Sequence, residues 1–243
     1  MQQMQKGRYR LAPAECQGDI LAAQRLRALC FGTGGADADD LDPRCRHVLI
    51  RETASRQPVA CFRMMTLPDG ARIGASYSAR FYDLSALRGY RDRMVEIGRF
   101  CIHPDRHDPD ILRLAWGALT RHVDRQGVGM LFGCSSFRGT EVAGYEDAFA
   151  MLRERHLGPA RWRPRVKAPD VFRFAHALRL RKPDPRRAMA QMPPLLRSYL
   201  LMGGWVSDHA VVDRQMNTLH VFTGLEVGAI PPARANLLRA VAG

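Results

Sequence analysis

The chain has 243 residues, 46% hydrophobic and 25% charged, which fits one globular protein with enough apolar side chains for a real core. The longest apolar region, LLRSYLLMGGWV at 195–206, is broken by arginine and too short to cross a bilayer, which excludes a membrane-spanning chain. Its 37 Lys and Arg against 24 Asp and Glu leave a formal charge of +13, more than solubility needs, so an acidic partner is expected: nucleic acid, anionic lipid or an acidic protein.

Asp19 can cap a helix through ILAAQRLRALCF, where Leu21, Arg25 and Leu29 repeat at helical spacing, and FGTGGADADD breaks it. CRHVLIRE (45–52) and PVACFRMMTL (58–67) read as a hairpin joined by TASRQ, and ARIGASYSARF (71–81) as a weaker strand. A short helix or loop at 83–93 leads to the strand MVEIGRFCIH (94–103). Asp108 before Pro109 has the form of an N-cap with proline at N1, opening a helix over 111–126 that Gly127 ends. VGMLFGCSS (128–136) is a continuous apolar run, expected of a strand covered on both sides.

RGTEVAGYEDAFAMLRERH then starts a helix with Val142, Tyr145, Phe149 and Leu152 along one face. Residues 153–187 hold twelve Lys and Arg against three Asp and Glu, punctuated by prolines 159, 164, 169, 183 and 185. They read as an irregular basic insertion or flap rather than a recognition helix. No RRM, KH or zinc-finger signature accompanies them, so nucleic acid is disfavoured. A short helix at PPLLRSYLLMGG and strands near 210–213 and 217–225 complete the chain. The order predicts an α/β or α+β fold around a mixed sheet, a single domain over 1–243 that includes the basic segment 155–192.

The N-terminal MQQMQKGRYRLAPAE lacks an apolar stretch suited to a signal peptide, so a cytoplasmic protein is expected. Six scattered cysteines without a CxxC pair read as reduced structural thiols, and eight histidines without an HxxH or HxH pair predict no metal site.

The strand at 94–103 places charge where apolar residues are expected. In strict alternation Glu96, Gly98, Phe100 and Ile102 share one face and Val95, Ile97, Arg99 and Cys101 the other, so Glu96 and Arg99 point apart. A bulge near Gly98 would re-aim them and free backbone amides to hold a carbonyl oxygen or a pantetheine amide. A salt bridge closing a sheet edge is the structural alternative.

VEIGRFCI, a strand–helix crossover, and MLFGCSSFRGTE together resemble the acyl-carrier-protein-dependent N-acyltransferases of the GCN5-related superfamily, specifically the L-ornithine N-acyltransferases of ornithine lipid synthesis. The tail from PPLLRSYLLMGGWV to NTLHVFTGL resembles the same family, and the likeness spans residues 8 to 230. More distantly the chain is similar to acyl-homoserine lactone synthases, in which an arginine-bearing helix ending in an aromatic, a D-x-x-D pair, a strand arginine and E-x-x-R follow in order. Here RLRALCF precedes Asp39 and Asp42, then Arg63, then Glu96 and Arg99, with Asp37 and Asp40 as i, i+3 alternatives to the aspartate pair.

The resemblance implies a GCN5-related mixed sheet flanked by helices, and transfer of a 3-hydroxy fatty acyl group from acyl carrier protein to the α-amino group of ornithine. The loop HPDRHDPD lacks the glycine-rich pyrophosphate cradle of coenzyme A users, so the donor fits carrier-bound phosphopantetheine and no other cofactor is implied. Glu96 is the candidate general base, with Arg99 beside it. Backbone amides near Phe100, Cys101 and Ile102 are candidates for the oxyanion, and Ser135 and Ser136 for the pantetheine arm. Asp39 and Asp42 would take the acceptor's ammonium, and Arg63 or Arg99 its carboxylate. Because the product is a lipid, the basic segment is also expected to touch an anionic membrane peripherally. Related readings are an enzyme acylating glutamine or another amino acid, or a lactone synthase. A different class is a non-catalytic module that binds carrier protein or nucleic acid.

Overall fold

A computed structural model describes residues 1–242. In chain order its strands are β1 (Met4–Lys6), β2 (Tyr9–Pro13), β3 (Arg46–Glu52), β4 (Pro58–Leu67), β5 (Tyr82–Asp83), β6 (Arg93–Ile102), β7 (Val128–Arg138), β8 (Arg165–Val166), β9 (Val171–Phe172), β10 (Trp205–Asp213) and β11 (Thr218–Glu226). Its helices are α1 (Gln17–Phe31), α2 (Pro109–Gln126), α3 (Glu146–Arg155), α4 (Phe174–Ala177), α5 (Pro185–Gln191), α6 (Pro194–Leu201) and α7 (Pro232–Ala242). These elements fall into two compact units.

The first unit comprises Met1–Thr66, Ile97–Val128 and the residues from Pro231. Strands β1 to β4 pair antiparallel in chain order, and β6 lies next to β4. The β1–β2 hairpin is not among the sequence predictions. Helix α1 packs Ala23 and Leu26 with Leu49 of β3 and Cys61 of β4, and Gly32, at φ 70°, closes it by donating to Ala28. Asp19 lies in its first turn rather than at the cap, ion-paired to Arg51 at 2.6 Å. Asp108 caps α2 as its sequence predicts, accepting from the Asp110 amide at 3.0 Å. Ile111, Leu114, Ala118 and Leu119 bury one face of α2. Helix α7, a further unpredicted element, approaches so closely at Gly117 that an added Cβ would lie 3.1 Å from Val241.

The second unit comprises Leu67–Glu96 and Gly129–Ile230. Its strand order is β7-β11-β10-β9, antiparallel throughout, and Leu157 adds a parallel bridge to Val206. The core joins Phe149 and Leu152 of α3, Phe174 of α4 and Leu196 of α6 to Phe137, Leu219 and Val221 of the sheet. Trp205 passes between two glycines: an added Cβ at Gly158 or at Gly224 would lie 2.5 Å from its ring. The α/β architecture with a mixed sheet and flanking helices agrees with the sequence.

Two local expectations change. Residues 71–81 form 3-10 turns, Gly70–Ala75 and Ser78–Arg80, instead of a strand. Asp69 caps the first by accepting from the Ala71 amide, and the Ser76 hydroxyl donates to Ile73 and accepts from the Ala79 amide, so local side-chain bonds outcompete a ladder. The helix expected after residue 138 begins only at Glu146, because Gly139 and Gly144 adopt φ 80° and 91°. Within the basic segment 155–192 the short elements are β8, β9, α4 and α5.

Candidate active site

Strand β6 changes parity midway. An added Cβ at Gly98 would lie 3.6 Å from Arg63 Nε, while Cys101 Sγ lies 3.5 Å from Cys61 Sγ. Cys61 and Arg63 share one face of β4, yet Gly98 and Cys101 are an odd number of residues apart, so β6 carries one extra residue. Arg99 supplies it, at φ 51°. Phe100 accordingly turns to the other face and stacks on Phe62, ring centroids 5.4 Å apart. The left-handed conformation costs a non-glycine residue about 1–2 kcal/mol, and the ion pairs made by the Arg99 side chain offset it.

Those pairs belong to a closed ring of six charges in the first unit. Arg27 of α1 meets Asp37 at 2.9 Å and Asp42 at 2.9 and 3.0 Å. Arg63 meets Asp42 and grips Asp39 with two nitrogens, at 2.5 and 2.8 Å. Arg99 meets Asp37 at 3.0 Å and Asp39 at 3.4 Å, which closes the circuit. Cation and anion alternate around it, three of each, so the ring is neutral. His47 Nε2 and the Asp42 carbonyl are 3.0 Å apart, and Gln24 donates to the Asp42 carboxylate.

Burial pushes the Asp42 carboxyl up, but hydrogen bonds from Arg27, Gln24 and Arg63 outweigh it and hold the group well below the usual carboxylate range. For Asp39 burial likewise pushes up and Arg63 wins, lowering it. Burial pulls Arg63 down, and the bond to Asp39 more than restores it. Asp39, Asp42 and Arg63 are therefore charged at neutral pH. Arg27 is 1% exposed as a side chain, whereas Asp39 and Arg99 reach 15% and 12%.

The ring brings together Asp39, Asp42, Arg63 and Arg99, and adds Arg27 and Asp37. In the sequence Asp37 stands only as half of an alternative pair. Asp40, its predicted companion, is exposed. Arg27 is visible there as the second arginine of RLRALCF, without a role. Cys101 is buried, and bonds with Cys30 and Cys61, together with burial, push its thiol far up. Cys30 donates to the Ile102 carbonyl at 3.4 Å.

Glu96 belongs to the second unit and is 4% exposed. Its carboxylate accepts from the amides of Tyr77 and Ser78, at 2.8 and 2.7 Å, and from the Ser78 hydroxyl at 2.6 Å. The 3-10 turns supply these donors, since the first amides of a turn have no acceptor within it. Ser78 Oγ also lies 3.5 Å from Cys134 Sγ on β7. Ser135 and Ser136 point to opposite faces of that strand. Ser135 is buried and accepts from Thr223 at 2.9 Å, whereas Ser136 is exposed opposite His220. Among the described residues no three His, Cys, Asp or Glu side chains converge to hold a metal ion.

Residues 27–117, from the first arginine of the ring through β6 and into α2, match the family model of an acetyltransferase (GNAT) domain. Over 239 residues the chain is 34% identical to the L-ornithine N(alpha)-acyltransferase of Rhodobacter capsulatus, covering 91% of each protein. The chain belongs to the L-ornithine N(alpha)-acyltransferase family. Two solved structures share the fold of this family member. FeeM, an N-acyl amino acid synthase from uncultured soil microbes, aligns with a TM-score of 0.52 at 11% identity, over 92% of this chain and 94% of its own. BjaI, a CoA-dependent acyl-homoserine lactone synthase, aligns with a TM-score of 0.51 at 14% identity, over 96% of this chain and 88% of its own.

Proposed function

We propose that this acyltransferase moves a 3-hydroxy fatty acyl group from acyl carrier protein to the α-amino group of L-ornithine, giving a lyso-ornithine lipid. The observation that carries the reading is identity to a named ornithine acyltransferase running through nine-tenths of the chain, 34% over 239 residues. The neutral ring supports an acceptor that is itself dipolar. Asp39 and Arg99 are joined by its longest link, 3.4 Å, and both are partly exposed. An amino acid entering there sets its side-chain ammonium on Asp39, with Asp42 behind it, and its carboxylate on Arg99, with Arg63 buttressing Asp39.

Glu96 lies three residues before Arg99 on β6 and takes a proton from the α-ammonium, whose reference pKa of about 8 leaves it mostly protonated at pH 7. The free amine attacks the thioester carbonyl. Backbone amides about Phe100, Cys101 and Ile102 hold the oxyanion, and Ser136 bonds the pantetheine arm. Glu96 passes that first proton to solvent; on collapse the C–S bond breaks, and the second proton, shed by the attacking nitrogen as it becomes the amide, travels through Glu96 to the pantetheine sulfur. The start of α2 supports a donor without pyrophosphate, because Asp108 already occupies the cap and Asp110 adds a second negative charge. A cleft of about 580 Å³ lined by Arg163, Arg165, Arg173 and His176 supports docking of an acidic carrier. The protein then works in the cytoplasm, against the inner face of the membrane. Purified protein given 3-hydroxyacyl carrier protein, the matching acyl-CoA and a panel of amino acids should release carrier thiol with ornithine alone. Release from CoA would reassign the donor, and no release with any acceptor would defeat the reading.

A further inference from the structure

The stretch after α4 exposes cations and large apolar side chains together. Arg179, Arg181, Lys182, Arg186 and Arg187 are all exposed, Leu180 among them is 87% exposed, and Met189 is 41% exposed. The one acid in 179–189, Asp184, is engaged as the cap of α5, accepting from the amides of Arg186 and Arg187 at 2.9 and 3.0 Å. The backbone beneath is fixed. Arg153 of α3 donates to the carbonyls of Leu178, Arg179 and Arg181. Asp147, also on α3, accepts from Arg181 and from the Asp184 amide, and Pro183 and Pro185 stiffen the chain on either side of Asp184.

A leucine held out in water by a stapled turn, with arginine on both sides and lysine next, has the chemistry of a surface that meets anions first and hydrocarbon beneath them. The cleft at Arg163, Arg165 and Arg173 is concave and suits a discrete acidic body. The turn protrudes and suits a plane. We infer that residues 179–189 seat the protein on an anionic bilayer, with Leu180 entering the acyl boundary and Arg179, Lys182 and Arg186 on headgroup phosphates. The inference rests on the acyltransferase reading only for its purpose, since an acylated amino acid is itself a lipid.

Co-sedimentation of the full chain with phosphatidylcholine vesicles, with and without phosphatidylglycerol, tests it. Binding should require phosphatidylglycerol and weaken as salt rises. Each cation removed should lower partitioning about fivefold, so Arg179→Gln/Lys182→Gln/Arg186→Gln loses about a hundredfold. Leu180→Ser should lose about tenfold or more. Both variants should acylate in vesicle-free solution at the wild-type rate. Binding to phosphatidylcholine alone, wild-type partitioning by the variants, or a loss confined to carrier-protein affinity would overturn the inference. Vesicle binding by a protein that acylates nothing would leave it standing and defeat only the proposed reaction.

Discussion

Arg27→Met tests whether the six charges act as one closed circuit. Methionine keeps much of the apolar stem but removes the guanidinium, leaving two cations against three carboxylates in a site where Arg27 was 1% exposed. Asp42 keeps Arg63 and Gln24, and Asp37 keeps Arg99, so neither carboxylate is stranded, but the ring acquires an uncompensated negative charge. An exposed pair would matter by at most about 1 kcal/mol, whereas breaking a buried one costs about 3–5 kcal/mol. For a chain of 243 residues that loss corresponds to a melting temperature lower by about 10 °C. Urea and thermal unfolding followed by circular dichroism at pH 7 measure it. The double variant Arg27→Met/Asp42→Asn restores neutrality at two charges of each sign, so it should recover about 1–3 kcal/mol relative to the sum of the two single changes. A single-variant cost under about 1 kcal/mol, or strict additivity in the cycle, would refute the circuit.

Glu96→Gln should lower kcat about 10²–10⁴-fold if the carboxylate is the base, and should also cost about 1–3 kcal/mol in stability because its NH₂ faces an N–H donor from the 3-10 turns. A wild-type rate in a thiol-release assay would make Glu96 purely an anchor for those turns. His220 is lowered from 6.5 to about 4, first by burial and then by His209. The unfolded chain therefore protonates it before the folded one does, so stability held above pH 6.5 falls as pH drops toward 4, by about 3 kcal/mol. Denaturant titrations across that window should show the slope, and His220→Asn should flatten it. Gly224→Ala drives a methyl to 2.5 Å from the Trp205 ring and should destabilise by about 1–3 kcal/mol, read as a lower urea midpoint.

Elements with strong local signals were legible in the sequence. The Asp108–Pro109 start of α2 and the apolar run of β7 stand where the residues place them, since capping geometry and two-sided burial are local in origin. The β1–β2 hairpin was not, because three- and five-residue strands carry too little alternation to be seen. The stretch 71–81 was misread because Asp69 and Ser76 satisfy backbone groups locally, which hydropathy does not register. Glu96 and Arg99 could be singled out as charges in an apolar strand, but their partners could not. Those partners lie in segments distant along the chain, Tyr77 and Ser78 for the acid, Asp37 and Asp39 for the arginine. Arg27 read as one of several arginines on an ordinary helix, and only the fold of the 32–41 loop over it gives that one a task.

The supernumerary residue in β6 decides what a change of length there would do. Deleting Gly98 would return the strand to plain alternation with Phe100 still facing Phe62 and Cys101 still facing Cys61, because the bulge absorbs the loss. Arg99 alone would be re-aimed, out of the left-handed conformation from which it reaches Asp37 and Asp39. A one-codon deletion here would therefore spare the packing of the strand and open the circuit of charges. The additional residue serves the arginine and not the sheet.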